Sequence, residues 1–135
     1  MELKFTKEQM ILILKEYYKN YFDIEGEIEI KAYASQVGHE MYPSLDTVVE
    51  MKIVGDMDIN NMKIKIEQKI TTDDLENAFS YILSSKNIDV EGVKLDKGIT
   101  SKSIGYGLGE KNVETAYFKG VKVTTKNNNK NLGGM

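Results

Sequence analysis

Asn60 and Asn61 sit side by side between two stretches in which apolar and charged residues alternate. Asparagine tolerates the positive φ angles that a tight two-residue hairpin turn demands. A turn at this pair sets Ile59 against Met62, Met57 against Ile64 and Met51 against Ile70 on one side of the ribbon. On the other side Asp58 meets Lys63 and Asp56 meets Lys65. Apolar pairing and charge pairing thus agree on one register, which commits this part of the chain to an antiparallel hairpin.

Helices flank it. Thr6 and Gln9 have capping-box spacing, Phe5 is placed to staple onto Met10, and Met10, Ile13, Leu14, Tyr17, Tyr18 and Tyr21 recur with helical period. That helix is expected to end between Asn20 and Asp23. A second begins at Thr71 or Thr72, with Asp73 and Asp74 suited to its positive end, and buries Leu75, Ala78, Phe79, Ile82 and Leu83. Gly26 opens a strand in which Ile28, Ile30, Ala32 and Ala34 alternate with polar residues, followed by a loop over Gly38 to Ser44. Beyond the second helix the pattern reads as strands over Ile88 to Leu95, with a bulge at Gly92, then Ile99 to Leu108 and Val113 to Thr125.

The expected fold is α+β, with two amphipathic helices on antiparallel sheet in the order α-β-β-β-α-β-β-β, an order that suggests a duplicated αβββ unit. Residues 1–125 form its one domain, and the Asn-rich, Gly-ended stretch 126–135 reads as a flexible polar tail. A chain of 135 residues that is 41% apolar is large enough to bury a core unaided. The opening residues hold no cationic stretch followed by an apolar run, and the longest apolar run is Met10 to Leu14, so the expectation is a soluble, cytoplasmic protein with no membrane partner.

Composition also narrows the chemistry. There is no cysteine, which removes disulfides and thiolate metal sites. All 18 basic residues are lysine. Without arginine the chain lacks the bidentate fork used to read guanine and phosphate, so a sequence-specific nucleic-acid target is not expected. A Lys-, Ile-, Asn- and Tyr-rich chain without arginine points to an AT-rich genome, such as those of low-GC bacteria and their phages.

Four features invite functional readings. Gly105, Tyr106, Gly107, Gly109 and Lys111 form a glycine-rich segment where a backbone can approach a phosphate. Glu110 and the strand that follows depart from the dinucleotide fingerprint, and glycines in strands more often mark bulges or close contacts. Asp23, Glu25, Glu27 and Glu29 form an acidic cluster suited to docking on a basic protein surface, and Tyr117 and Phe118 add aromatic contact area. His39 is the one histidine, with no second histidine or nucleophile elbow to support catalysis or zinc. Asp56-x-Asp58-x-Asn60 opens like a calcium loop, but Asn61 replaces the required glycine and Glu67 falls in a strand. No metal, cofactor or catalytic residue is therefore expected.

The reading that results is a non-enzymatic protein-interaction module, an accessory protein of a phage or mobile element that inhibits a host defence protein in the manner of anti-CRISPR proteins. The alternative is a small-ligand, nucleotide-binding protein using residues 105–111. The expected partner is another protein, with a homodimer a further option because open sheets have edges to cover.

Overall fold

The computed structural model describes residues 1–39, 41–105, 109 and 111–126. Eight elements follow one another: β1 (Glu2–Thr6), α1 (Lys7–Phe22), β2 (Ile24–His39), β3 (Tyr42–Ile59), β4 (Met62–Lys69), α2 (Thr72–Ser84), β5 (Val90–Ile104) and β6 (Lys111–Thr125). They form an α+β fold with two antiparallel three-stranded sheets, ordered β2-β3-β4 and β1-β6-β5.

Local chemistry sets the element boundaries. At the start of α1 the Thr6 hydroxyl accepts from the Gln9 N–H at 3.1 Å, and the Gln9 side chain accepts from the Thr6 N–H at 2.9 Å. Asp23 ends the helix in the left-handed region at φ 58°, its N–H returning to the Lys19 carbonyl at 3.1 Å. Helix α2 opens with the equivalent reciprocal cap between Thr71 and Asp74. Between β3 and β4, Asn60 and Asn61 take φ angles of 51° and 64°, as a type I′ turn requires. The register is the one read from the sequence, Ile59 to Met62, Asp58 to Lys63 and Asp56 to Lys65. An Ile70 N–H to Met51 carbonyl bond of 2.8 Å carries it one step past β4.

Some boundaries differ from the sequence reading. The loop expected over Gly38 to Ser44 is mostly strand: β2 and β3 stay paired through Val37–Ser44, Gly38–Pro43 and His39–Tyr42. Within this pairing Gly38 takes φ at 96°, a conformation that favours glycine. In place of the two strands expected over Ile88 to Leu95 and Ile99 to Leu108 there is one strand β5 from Val90 to Ile104, which runs unbroken through Asp96-Lys97-Gly98 because the register shift is taken up on β6, where Lys119 is the extra residue between Phe118 and Gly120. A second register shift, at Gly92, falls where the alternation breaks in the sequence. Residues 2–6, read only as a lead-in to the first helix, form β1 and pair with β6 from Glu2–Thr124 to Thr6–Gly120. The sheet β1-β6-β5 thus takes one edge strand from near the opposite end of the sequence, and the helices do not divide between the sheets, since α1 packs against β2 of one and β6 and β1 of the other while α2 packs against β5. The tail beyond residue 126 lies outside the described residues.

One hydrophobic cluster joins all of this. Met10, Leu14 and Tyr18 of α1 and Leu75, Ala78 and Phe79 of α2 meet Ile28, Met51 and Ile53 from one sheet and Val93, Val121 and Val123 from the other. Phe5 adds an aromatic contact to Phe79, with ring centroids 4.9 Å apart. The sheets also meet directly. Thr47 of β3 is fully buried, and its hydroxyl donates to the Gly98 carbonyl of β5. The Lys97 ammonium donates to the Thr47 carbonyl and lies 3.3 Å from the Asp46 carboxylate.

Candidate interaction surfaces

Strand β2 places Ile24 and Ile28 in the core, so Glu25, Glu27 and Glu29 share the outward face, all exposed. Lysines offset them. Lys19 reaches Glu25 at 3.5 Å and Lys15 reaches Glu27 at 3.1 Å, both from α1. Glu29 stands opposite Lys52, which bonds to Glu67 across β3 and β4 at 2.6 Å. That bond holds the Lys52 ammonium above the usual lysine range and the Glu67 carboxyl below the usual carboxylate range. A shallow groove of about 770 Å³ follows this face, lined by Glu29, Lys31, Glu50, Lys52, Glu67 and Lys69. The surface is a lattice of alternating charge more than an acidic field. Asp23 stands apart from it, as the residue that turns the chain out of α1.

The glycine-rich segment joins β5 to β6 at the tip of a hairpin, with Ile104 paired to Lys111. Tyr106 and Gly107 lie outside the described residues. Gly105 is exposed with φ at 105°, and a β-carbon at Gly109 would meet open space. Lys111 begins β6. Tyr117 and Phe118, neighbours on β6, serve different ends. The Tyr117 ring lies across Gly98 on the paired strand, where a β-carbon would come 2.6 Å from its hydroxyl, and Lys119 sits 5.1 Å from its centroid. Phe118 packs against the core.

Two surfaces emerge that the sequence reading did not single out. The first is the outer part of the β2–β3 hairpin, where Tyr33, Val37, Met41 and Leu45 are all exposed. Glu50 accepts a 3.0 Å bond from the Tyr33 hydroxyl and so raises its pKa. The second is an aromatic groove of about 550 Å³ between the helices, lined by Tyr17, Tyr21, Phe22, Asn77, Ser80 and Tyr81. Tyr21 stacks on Tyr17 with centroids 5.4 Å apart, and Tyr81 meets Tyr17 at 5.7 Å and Tyr21 at 5.8 Å. Helical period alone put Tyr17, Tyr18 and Tyr21 on one core face. Tyr17 and Tyr18 are buried there, while Tyr21 is 62% exposed.

Among the described residues no three His, Cys, Asp or Glu side chains gather closely enough to hold a metal ion. No helix in them is long and apolar enough to cross a membrane. No protein-family model matches the chain, and neither a curated protein nor a solved structure matches it significantly.

Proposed function

We propose that this chain is a non-enzymatic protein-interaction module whose principal contact element is the β2–β3 hairpin. The supporting observation is the character of its outer part. From Ala32 to Leu45 the only acid is Glu40 and the only basic side chain is His39, while Val37, Met41 and Leu45 are 40%, 74% and 43% exposed. Strand β4 pairs with β3 only between Lys52 and Ile59, so this stretch is a two-stranded ribbon. Val37 and Leu45 lie on opposite faces of it, since each stands across from a different partner, Ser44 and Gln36. Exposed apolar area with so little charge favours insertion into a partner's apolar groove.

The arginine-free composition supports an AT-rich source, and within it we adopt the reading of a phage or mobile-element accessory protein that blocks a host defence protein, anti-CRISPR-like in kind. Nucleotide binding on residues 105–111 is the alternative, and no contact among the described residues favours it.

Native mass spectrometry of protein purified gently from a related host tests the proposal. The expected result is a retained protein mass that disappears in the Val37→Glu, Leu45→Glu double variant, whose exposed positions leave folding intact. Retention of the same mass by that variant, or a nucleotide-sized mass in its place, would overturn the reading.

A further inference from the structure

We propose that the groove between α1 and α2 is a second docking surface, one that accepts a lysine- or arginine-bearing segment of a protein partner. Its floor is aromatic. Tyr17 and Tyr21 stack, Tyr81 stands edge-on to Tyr21 at 78°, and Phe22 closes one end at 4.9 Å from Tyr21. Aromatic faces attract cations through the ring quadrupole, most strongly where water is partly excluded. Asn77 and Ser80 line the same groove and offer an amide and a hydroxyl to a partner's backbone.

Charge selects the occupant. Helix α2 carries Asp73 and Asp74 in its first turn and no lysine at all. Exposed Asp73 lies one turn before Asn77 on the same helical stripe, so the acid and the aromatic floor are contiguous. Asp74 acts on both Tyr17 and Tyr18: burial raises each phenol's pKa first, and the carboxylate raises it further. The nearby lysines of α1 are engaged elsewhere, Lys15 by Glu27 and Lys19 by Glu25. A second copy is the poorer occupant. Twofold pairing through this groove would bring two sets of Asp73 and Asp74 together with no cation from α2 to offset them.

This surface is separate from the β2–β3 hairpin, and its test uses other variants, so either proposal can fail alone. Isotope-labelled full-length protein is titrated with a blocked Arg-Leu-Ala-Arg peptide and with its Gln-Leu-Ala-Gln counterpart, following ring and amide signals by NMR. The expected result is saturable shifts at Tyr17, Tyr21, Phe22 and Tyr81 with the arginine peptide. Tyr81→Ala is expected to weaken binding roughly fivefold or more, and Tyr81→Phe to preserve it. Asp73→Asn, on the exposed stripe and outside the Thr71–Asp74 cap, weakens binding without altering a ring, which keeps the test decisive should Tyr81→Ala fold poorly. Equal binding of the glutamine peptide would overturn the cationic occupant. So would the absence of saturable shifts at these rings, shifts confined to Glu25, Glu27 and Glu29, or self-association abolished by Tyr81→Ala, which would assign the groove to a second copy.

Discussion

Gly26 and Gly55 face each other across β2 and β3, and the contact between them is closer than any side chain permits. A β-carbon on Gly26 would run into the Val54 carbonyl, and one on Gly55 into the Glu25 carbonyl. The obstacle in both cases is backbone, which cannot rotate away as a long side chain can. Gly55→Ala is therefore expected to destabilise the protein by about 1–3 kcal/mol in urea unfolding, the usual cost of overfilling a packed site. Gly92→Ala serves as its contrast, since the nearest atom to a β-carbon there is a Glu76 carboxylate oxygen at an ordinary 3.8 Å. It is expected to be nearly neutral by the same measurement. Neither role was legible in the sequence, where Gly26 reads only as the opening of a strand. The distinction depends on which strand lies alongside.

At the scale of elements, the caps carry a measurable share of stability. Thr71→Ala removes the hydroxyl that accepts from the Asp74 N–H and is expected to cost about 1 kcal/mol in chemical denaturation, with Thr71→Ser close to wild type. The Thr6–Gln9 cap, the helix faces and the Asn60–Asn61 register were readable because each rests on residues within one element or one tight turn, whereas the start of the second helix was left between Thr71 and Thr72. What escaped the reading needed distant residues. The stretch from Gly38 to Ser44 looks like a loop by composition, yet each strand supplies the other's partners out to His39 and Tyr42. Asp96, Lys97 and Gly98 are turn-like residues yet stay paired within one strand, the register shift falling on Lys119 of the facing strand. The groove aromatics were visible as residues but not as a surface. Tyr21 and Tyr81 come together only because α1 and α2 pack side by side, and that contact is not written in either helix. Likewise Glu25, Glu27 and Glu29 read as acidic until the fold brings Lys15, Lys19 and Lys52 beside them.

For the whole molecule, the junction between the two sheets makes stability depend on acid. The Thr47 N–H donates to the Asp46 carboxylate at 2.8 Å and, together with Lys97, holds that carboxyl below its ordinary range. Glu67 is held down in the same direction by Lys52. A carboxyl depressed by folding contributes stability that is present above its unfolded pKa and lost as pH falls through the folded one. The urea midpoint is thus expected to drop as pH is lowered from neutral through the ordinary carboxylate range and below, and Asp46→Asn is expected to flatten that dependence. The raised Lys52 works at the other extreme, its contribution persisting at neutral pH and fading only above the usual lysine range. The same sheet that meets this junction is completed by β1, whose first bond joins the Met1 carbonyl to the Thr125 N–H at 2.9 Å. The two strands are antiparallel, so residues 1 and 125 sit at the same end of their ladder. Tension applied between those points would load the bonds one after another from Met1–Thr125 toward Thr6–Gly120, opening the seam as a zip opens. Pulled from those two points, this seam yields one bond at a time and never resists as a whole ladder in shear.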